Sequence, residues 1–455
     1  MDEAVVAKDE TGLRYQTREG AFCAVMQGGG ETYLSAFALL FQANAFQLGL
    51  LSALPPLVGT CSQLLSIKIL SEIKARRPLI LTGAIGQAAA WLPVFILPLL
   101  FPSHGASLLL MGAMICLAMG HFTVPAWNSL ITDVVDEDRR GLYFAYRAKI
   151  VGVASFAALA AAGLVLSASE SWSNPALGFA VVFAGAALAR LISAVYLSRL
   201  KEPAPPLDEE PELSLWTFLT HEPNRMFRRF LVFSGAFHAA ANVAGPFFVL
   251  YLLRDLHLSY LTYGLWLAAP IVGQFITLKE WGRLGDRFGN KQVLFITGLI
   301  VPFLPMLYLW SVNWMLLVAI NFMSGVLWSG FSLSLQNYVF DVVPRPDRAK
   351  GVALYNSLNA FGIAVGAMLG SWLATVTPPE LLFGDLVIPL VSNLPVVFLI
   401  SGLLRLLVSI TMLQTFREGR AVMPISPAQF VCQMPLIKPV VGVFGIRPLT
   451  SSGPT

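Results

Sequence analysis

The sequence predicts an all-α integral membrane protein, with twelve transmembrane helices in two pseudosymmetric six-helix bundles. Three observations predict it. Of 455 residues, 56% are hydrophobic and 12% are charged, against about 25% charged in a soluble domain. The apolar residues gather in twelve runs, each near the ~20 residues a spanning helix requires. The last six runs echo the first six at an almost constant offset.

A soluble fold of this length cannot bury so large an apolar fraction, because surface grows too fast relative to volume. A net charge of +4 with a pI near 8.9 suggests nucleic acid at first sight. The cations instead follow the loops, so a lipid bilayer is the expected partner and no nucleic acid is. Four cysteines, Cys23, Cys61, Cys116 and Cys432, fit neither a disulfide framework nor a zinc site and read as small buried hydrophobes. The polar start up to Gly20 lacks a basic n-region and a cleavage site, so no signal peptide is expected. The sequence holds no Asn-x-Ser/Thr acceptor, as suits a bacterial protein.

In order, the spans are 20–42, 47–69, 78–101, 106–130, 146–167, 176–198, 229–252, 261–281, 291–311, 314–338, 351–376 and 388–414. Basic residues fall in alternate loops: Lys68, Lys74, Arg76 and Arg77; Arg139 and Arg140; Arg199, Lys201, Arg225, Arg228 and Arg229; Arg283, Arg287 and Lys291; Arg345, Arg348 and Lys350. The opposite loops hold only Arg254. The bias of Lys and Arg toward the inner face puts both termini in the cytoplasm of a multi-pass, bacterial inner-membrane protein. The expected organisation is a cytoplasmic N-terminal segment (1–19), a first bundle (20–199), a cytoplasmic linker with an acidic patch (200–228), a second bundle (229–414) and a cytoplasmic tail (415–455).

The repeat is explicit. Gly20-Ala21-Phe22 recurs as Gly235-Ala236-Phe237, an offset of 235 − 20 = 215. At the same offset Gly30 meets Gly245, Pro55 meets Pro270, Thr82-Gly83 meets Thr297-Gly298 and Arg190 meets Arg405. Asp133-Val134-Val135 pairs with Asp341-Val342-Val343 at a slightly smaller one. Duplicated halves are a transporter architecture, with the solute site between repeats near the midplane.

Between spans eight and nine runs Gly282-Arg283-Leu284-Gly285-Asp286-Arg287-Phe288-Gly289-Asn290-Lys291. Its glycines permit a tight turn, Asp286 can face a helix N-terminus, and Arg287 and Lys291 suit the anionic inner surface. This stretch resembles the loop signature of the major facilitator superfamily, and the resemblance extends from about Gly20 to Leu413. It implies a major facilitator fold around a central cavity that opens to alternate sides, lined by spans one, four, seven and ten. It also implies that Gly282, Gly285, Asp286, Arg287, Gly289 and Lys291 form a gating motif, with Asp286 meeting the segment around Arg140 and Gly141. The first-half loop departs from the pattern, with Ser71 standing at the register of Asp286. The segment Asp136 to Phe144 and its echo Pro344 to Gly351 resemble a structural loop of the same family.

Residues that are costly in lipid point to function. Glu31 follows Gly28, Gly29 and Gly30 in span one. A lone carboxylate there is expensive to ionise, which suits it to carry a proton. With Glu31, the expected solute and proton pathway comprises Gln27, His121, Asn128, His238, Asn242, Trp328, Gln336, Asn356 and Asn359, with Trp127 and Asn321 in the same helices. A polar and aromatic lining of this kind can orient a small solute. Arg147 and Lys149 are expected to snorkel or to pair with Asp133 or Asp286. Arg190 and Arg405 are expected to snorkel, and Gly362, Gly366 and Gly370 to pack helices.

No phosphate-binding loop, His-Glu-x-x-His or nucleophile elbow is present, so the chain is not expected to be an enzyme, to need a cofactor or to hold a metal. Secondary active transport of a small solute, with protons as a coupling ion, is the expectation, and a monomer is the expected unit. A transporter fold used as sensor or assembly factor is the alternative, and a membrane enzyme acting on a lipid-soluble substrate the remotest one.

Overall fold

The computed structural model describes residues 3–73, 75–134, 137–200, 224–344, 347–383, 386–420 and 422–437, with side chains outside 3–11, 132–142, 349 and 381–388. Lys74, Lys201, Arg345, Lys438, Arg447, most of the linker and the side chains of Asp133, Arg139 and Arg140 lie outside the described residues.

Among the described residues, twelve helical spans follow the predicted order. They are α1 (Glu3–Gly29), α2 (Ala45–Ile73), α3 (Arg76–Leu100), α4 (Gly105–Val134), α5 (Glu137–Ser171), α6 (Pro175–Ser198), α7 (Arg225–Asn242), α8 (Tyr260–Phe288), α9 (Asn290–Ile300), α10 (Trp314–Val342), α11 (Arg348–Val376) and α12 (Leu394–Met412). Helices dominate because hydrocarbon offers no partner for a free backbone N–H or C=O. Side chains close several ends: Asn174 Oδ1 accepts from Leu177 N at 3.2 Å before α6, and Asn313 Oδ1 from Met315 N at 2.9 Å before α10.

The chain divides into two compact units, Met1–Pro211 with Pro246–Leu265, and Glu212–Gly245 with Trp266–Thr455. Among the described residues, eleven spans are long and apolar enough to cross a membrane on their own count. The twelfth is the first, where α1 stops at Gly29 and the chain continues through a 3-10 turn at Glu31–Tyr33 into Leu34–Leu40. The glycines permit both the break and close packing. A Cβ on Gly28 would lie 2.2 Å from Ser155 O of α5, and one on Gly30 would lie 2.8 Å from Trp91 of α3 and Ala186 of α6. The second repeat breaks at the equivalent place, with α7 ending at Asn242 and a 3-10 turn at Gly245–Phe247. Gly362 and Gly366 let α11 approach α7, since their Cβ atoms would lie 2.3 Å from Gly235 O and 2.0 Å from Ala239 O.

Among helix starts, three differ most from expectation. The first helix starts at Glu3 rather than 20, and the fifth at Glu137 rather than 146. Polar residues extend the first because they pack inside the bundle: Gln16, Thr17 and Glu19 are all buried, with Thr17 Oγ1 donating to Leu13 O at 3.0 Å and Glu19 paired with Arg147. The twelfth starts at Leu394, not 388, because the apolar Leu386–Pro389 pairs antiparallel with Glu380–Phe383 in a short hairpin. Of the four cysteines only Cys116 is buried; Cys61 is exposed on α2.

Candidate functional site

Within the first unit, a cavity of about 320 Å³ opens among α1, α3, α4, α5 and α6. From α1 and the turn after it come Glu19, Cys23, Gln27 and Glu31; α3 adds Gln87; α4 adds His121 and Trp127; α5 adds Arg147; α6 adds Arg190. The broken end of α1 sets Glu31 within reach of α3, where Gln87 Nε2 donates to Glu31 Oε1 at 3.3 Å.

One helical turn after another along α1, Glu19 anchors a charged network. Arg147 lies 3.2 Å from Glu19 Oε2 and Arg190 3.8 Å from Oε1, with side chains 3% exposed for Arg190 and 6% for Glu19. Ser193 Oγ donates to Glu19 Oε1 at 3.3 Å and accepts from Arg190 Nη1 at 3.0 Å. The Arg147 guanidinium also lies over the Trp127 ring, 4.6 Å from its centroid, a cation–π contact that strengthens as water is excluded. Two guanidiniums thus face two carboxylates in one cavity. Four nitrogens of its lining are buried and have no hydrogen-bond partner among the described residues: Arg147 Nε, Arg190 Nε, Trp127 Nε1 and His121 Nδ1.

The geometry corrects two expectations about cations. Arg190 and Arg405 do not snorkel. Arg190 is buried beside Glu19, and Arg405, also buried, donates from Nη2 to Ala241 O at 3.0 Å. A buried partner within a few ångströms outweighs a stretched path to the interface. Arg147 pairs with Glu19 and Lys149 is exposed, while the side chain of Asp133, one of the partners expected for them, lies outside the described residues.

The expected pathway residues fall into three groups. Glu31, Gln27 and His121 share the cavity of the first unit. In the second unit His238, Asn242, Trp328 and Asn359 gather around α7: Ser234 Oγ donates to Asn359 Oδ1 at 2.8 Å, His238 Nδ1 sits 2.8 Å from Ser234 O, Asn242 Nδ2 donates to His238 O at 2.9 Å, and the His238 and Trp328 rings are 6.5 Å apart. Asn128, Gln336 and Asn356 are exposed, and Asn321 Nδ2 is bonded to Trp266 O at 2.8 Å. Sequence reasoning missed Glu19, Cys23 and Gln87 as lining. Gln87, a lone amide inside an apolar span, was the legible signal.

The motif 282–291 is braced by residues after α12. Gly289 has φ +94°, a conformation open chiefly to glycine. Lys291 N donates to Glu418 Oε2 at 2.9 Å. Arg420 Nη2 donates to Gly285 O at 2.8 Å and lies 3.8 Å from Asp286 and, through Nε, 3.7 Å from Asp341. Asn290 Nδ2 donates to Asp341 Oδ2 at 2.6 Å. Further along the tail, Phe430 is buried with its ring 6.0 Å from that of Phe288. Asp286 itself is largely exposed, and the segment around Arg140 and Gly141 expected to meet it lies outside the described side chains.

Similar proteins resemble this chain weakly in sequence, and solved structures resemble it in fold over most of its length. The gentisate transporter of Corynebacterium glutamicum is 27% identical over 178 residues, which is 34% of this chain and 39% of that protein. The chain therefore spans well under half of that relative's length. Among solved structures, the nucleoside transporter NupG superposes with a TM-score of 0.66 at 13% identity, covering 89% of this chain and 100% of that one. A POT family transporter in complex with 5-aminolevulinic acid gives 0.68 at 12% identity, covering 89% and 96%. A family model of membrane transporters matches residues 20–243 and again 230–430, once for each repeat, and the chain belongs to the Major Facilitator Superfamily.

Proposed function

We propose that this protein is a proton-coupled secondary active transporter that moves a small solute by alternating access, with Glu31 as the proton site. The observation that carries the reading is Glu31 in the first-unit cavity, bonded to Gln87 and sharing that cavity with the Glu19–Arg147–Arg190 network. Holding a carboxylate charged in a low-dielectric site is costly, so a group placed there exchanges protons readily as its surroundings change. The charged and titratable groups around it are Glu19 and Cys23 on α1, Cys116 and His121 on α4, Arg147 on α5 and Arg190 on α6. The solutes named for two similar proteins, gentisate and nucleosides, and the 5-aminolevulinic acid bound by a third are all small, which supports the solute class.

The inner loops carry the basic residues, which supports cytoplasmic termini and a cytoplasmic motif 282–291. In this reading the motif, together with Glu418 and Arg420, is the inner-face latch.

Purified protein in liposomes tests the proposal. Labelled gentisate, uridine and 5-aminolevulinic acid are offered with and without an inward proton gradient. At least one is expected to accumulate above equilibrium only with the gradient. Glu31→Gln is expected to abolish that accumulation while solute exchange continues. Gradient-driven accumulation unchanged in Glu31→Gln overturns the proton role.

A further inference from the structure

We propose that the cavity of the first unit binds the carboxylate of a small organic anion, with Arg147, Arg190 and Trp127 as its recognition groups; this rests on the transport reading above and narrows its solute class. The first argument is hydrogen-bond supply. Buried donors are almost always satisfied in folded proteins, because one left unmet loses its hydration with nothing in return. Here three N–H donors of one cavity lining, Arg147 Nε, Arg190 Nε and Trp127 Nε1, are buried and unmet among the described residues. Among the lining's acceptors, Glu19 takes Arg147 and Ser193 and Glu31 Oε1 takes Gln87, and none bonds any of the three unmet donors. A ligand that fits must bring acceptors. A carboxylate brings two oxygens and matches the fork of a guanidinium.

The second argument is charge. With Glu31 ionised, Glu19 and Glu31 balance Arg147 and Arg190. With Glu31 protonated, the cavity holds one cation in excess, the state that favours an anion. Anion and proton are therefore taken up together, each lowering the electrostatic cost of the other. A cationic ligand would meet two guanidiniums with one carboxylate already shared between them. The third argument is size. At about 320 Å³ the cavity lies at the small end of ligand sites, enough for one ring or a short chain.

Equilibrium binding to the purified full-length protein tests this without requiring flux. The probes are labelled benzoate and hexanoate, each competed by its amide and its amine. At least one carboxylate is expected to bind, with amide and amine at least about tenfold weaker, and binding is expected to be tighter at pH 5.5 than at pH 8. Arg190→Gln is expected to weaken it about tenfold to a hundredfold, as loss of a charge-assisted bond implies. Because that variant leaves Glu19 short of a partner and can misfold, Trp127→Phe is the milder companion. It keeps the ring, removes the N–H, and is expected to weaken the carboxylate several-fold while leaving the amide unchanged. Binding of neither carboxylate, amide or amine binding as well as the acid, or equal carboxylate affinity in wild type and Trp127→Phe overturns the proposal. Selective carboxylate binding with no gradient-driven uptake would sink the transport mechanism while leaving the anion site standing.

Discussion

The two repeats keep the same helices and spend their polar residues differently. At the 215-residue offset Glu19 becomes Ser234, Cys23 becomes His238, Gln27 becomes Asn242 and Glu31 becomes Pro246, while Arg190 becomes Arg405. In the first unit these positions form a charged network around a cavity, with donors to spare. In the second, most of them bond locally: Ser234 to Asn359, His238 to Ser234 O, Asn242 to His238 O and Arg405 to Ala241 O. Arg405 keeps a buried Nε without a partner among the described residues, but Ser234, His238 and Asn242 form a locally bonded polar cluster that stiffens the bundle, whereas the carboxylate-centred network of the first unit is suited to exchange partners. Duplication has kept the frame and the buried arginine in both halves and the carboxylates of these positions in one.

The largest expected effect breaks that comparison at its centre. Glu19→Ala leaves two buried guanidiniums without their carboxylate, and removing one partner of a buried ion pair costs about 3–5 kcal/mol. Ser234→Ala removes one neutral hydrogen bond and costs about 1 kcal/mol. Thermal unfolding of the two variants in detergent checks the pair; equal losses would mean that the halves do not differ in electrostatic dependence.

Packing should show the opposite, a symmetric response. Gly28 on α1 and Gly366 on α11 each sit where a Cβ would strike a backbone oxygen, Ser155 O at 2.2 Å and Ala239 O at 2.0 Å. Gly28→Ala and Gly366→Ala are each expected to lose about 1–3 kcal/mol by overpacking. Gly29→Ala, whose Cβ would meet nothing nearer than 3.6 Å, is expected to be tolerated. The same unfolding measurement separates the cases. A large difference between Gly28 and Gly366 would show that the α1–α5 and α7–α11 crossings are not equivalent.

These variants also mark what the sequence made legible. The twelve spans could be read because lipid enforces long apolar runs, and the repeat because its offset needs no gap across three helices. Glu31 and Gln27 stood out as polar residues beside three glycines. Glu19 did not, because its meaning lies in residues 128 and 171 positions away (147 − 19 and 190 − 19), and no local pattern encodes such pairing. For the same reason Arg190 read as a snorkelling cation. The hairpin at Glu380–Pro389 was hidden because a short apolar run looks alike in a strand and at the start of a helix.

The smallest expected effect concerns the loops, where the asymmetry reverses. The second-half loop carries the glycine-rich motif and is held by the tail, while its first-half counterpart has Ser71, whose Oγ donates to Lys68 O at 2.7 Å within its own helix. Arg420 reaches Gly285 O, Asp286 and Asp341 together, yet its side chain is 36% exposed, and water screens such pairs to at most about 1 kcal/mol each. Arg420→Ala is therefore expected to lower global stability by about 1 kcal/mol or less. Its larger consequence is local, because Gly289 holds its positive φ in contact with Glu418, and the tail's registration over the turn depends on Arg420 as well as on the Lys291 N to Glu418 bond. Labelling of a cysteine placed at Asn290, buried behind Asp341, should accelerate several-fold in the Arg420→Ala background while a cysteine at Ser71 labels at an unchanged rate. Equal acceleration at both positions would mean that the tail acts on the whole protein and not on the motif loop it touches.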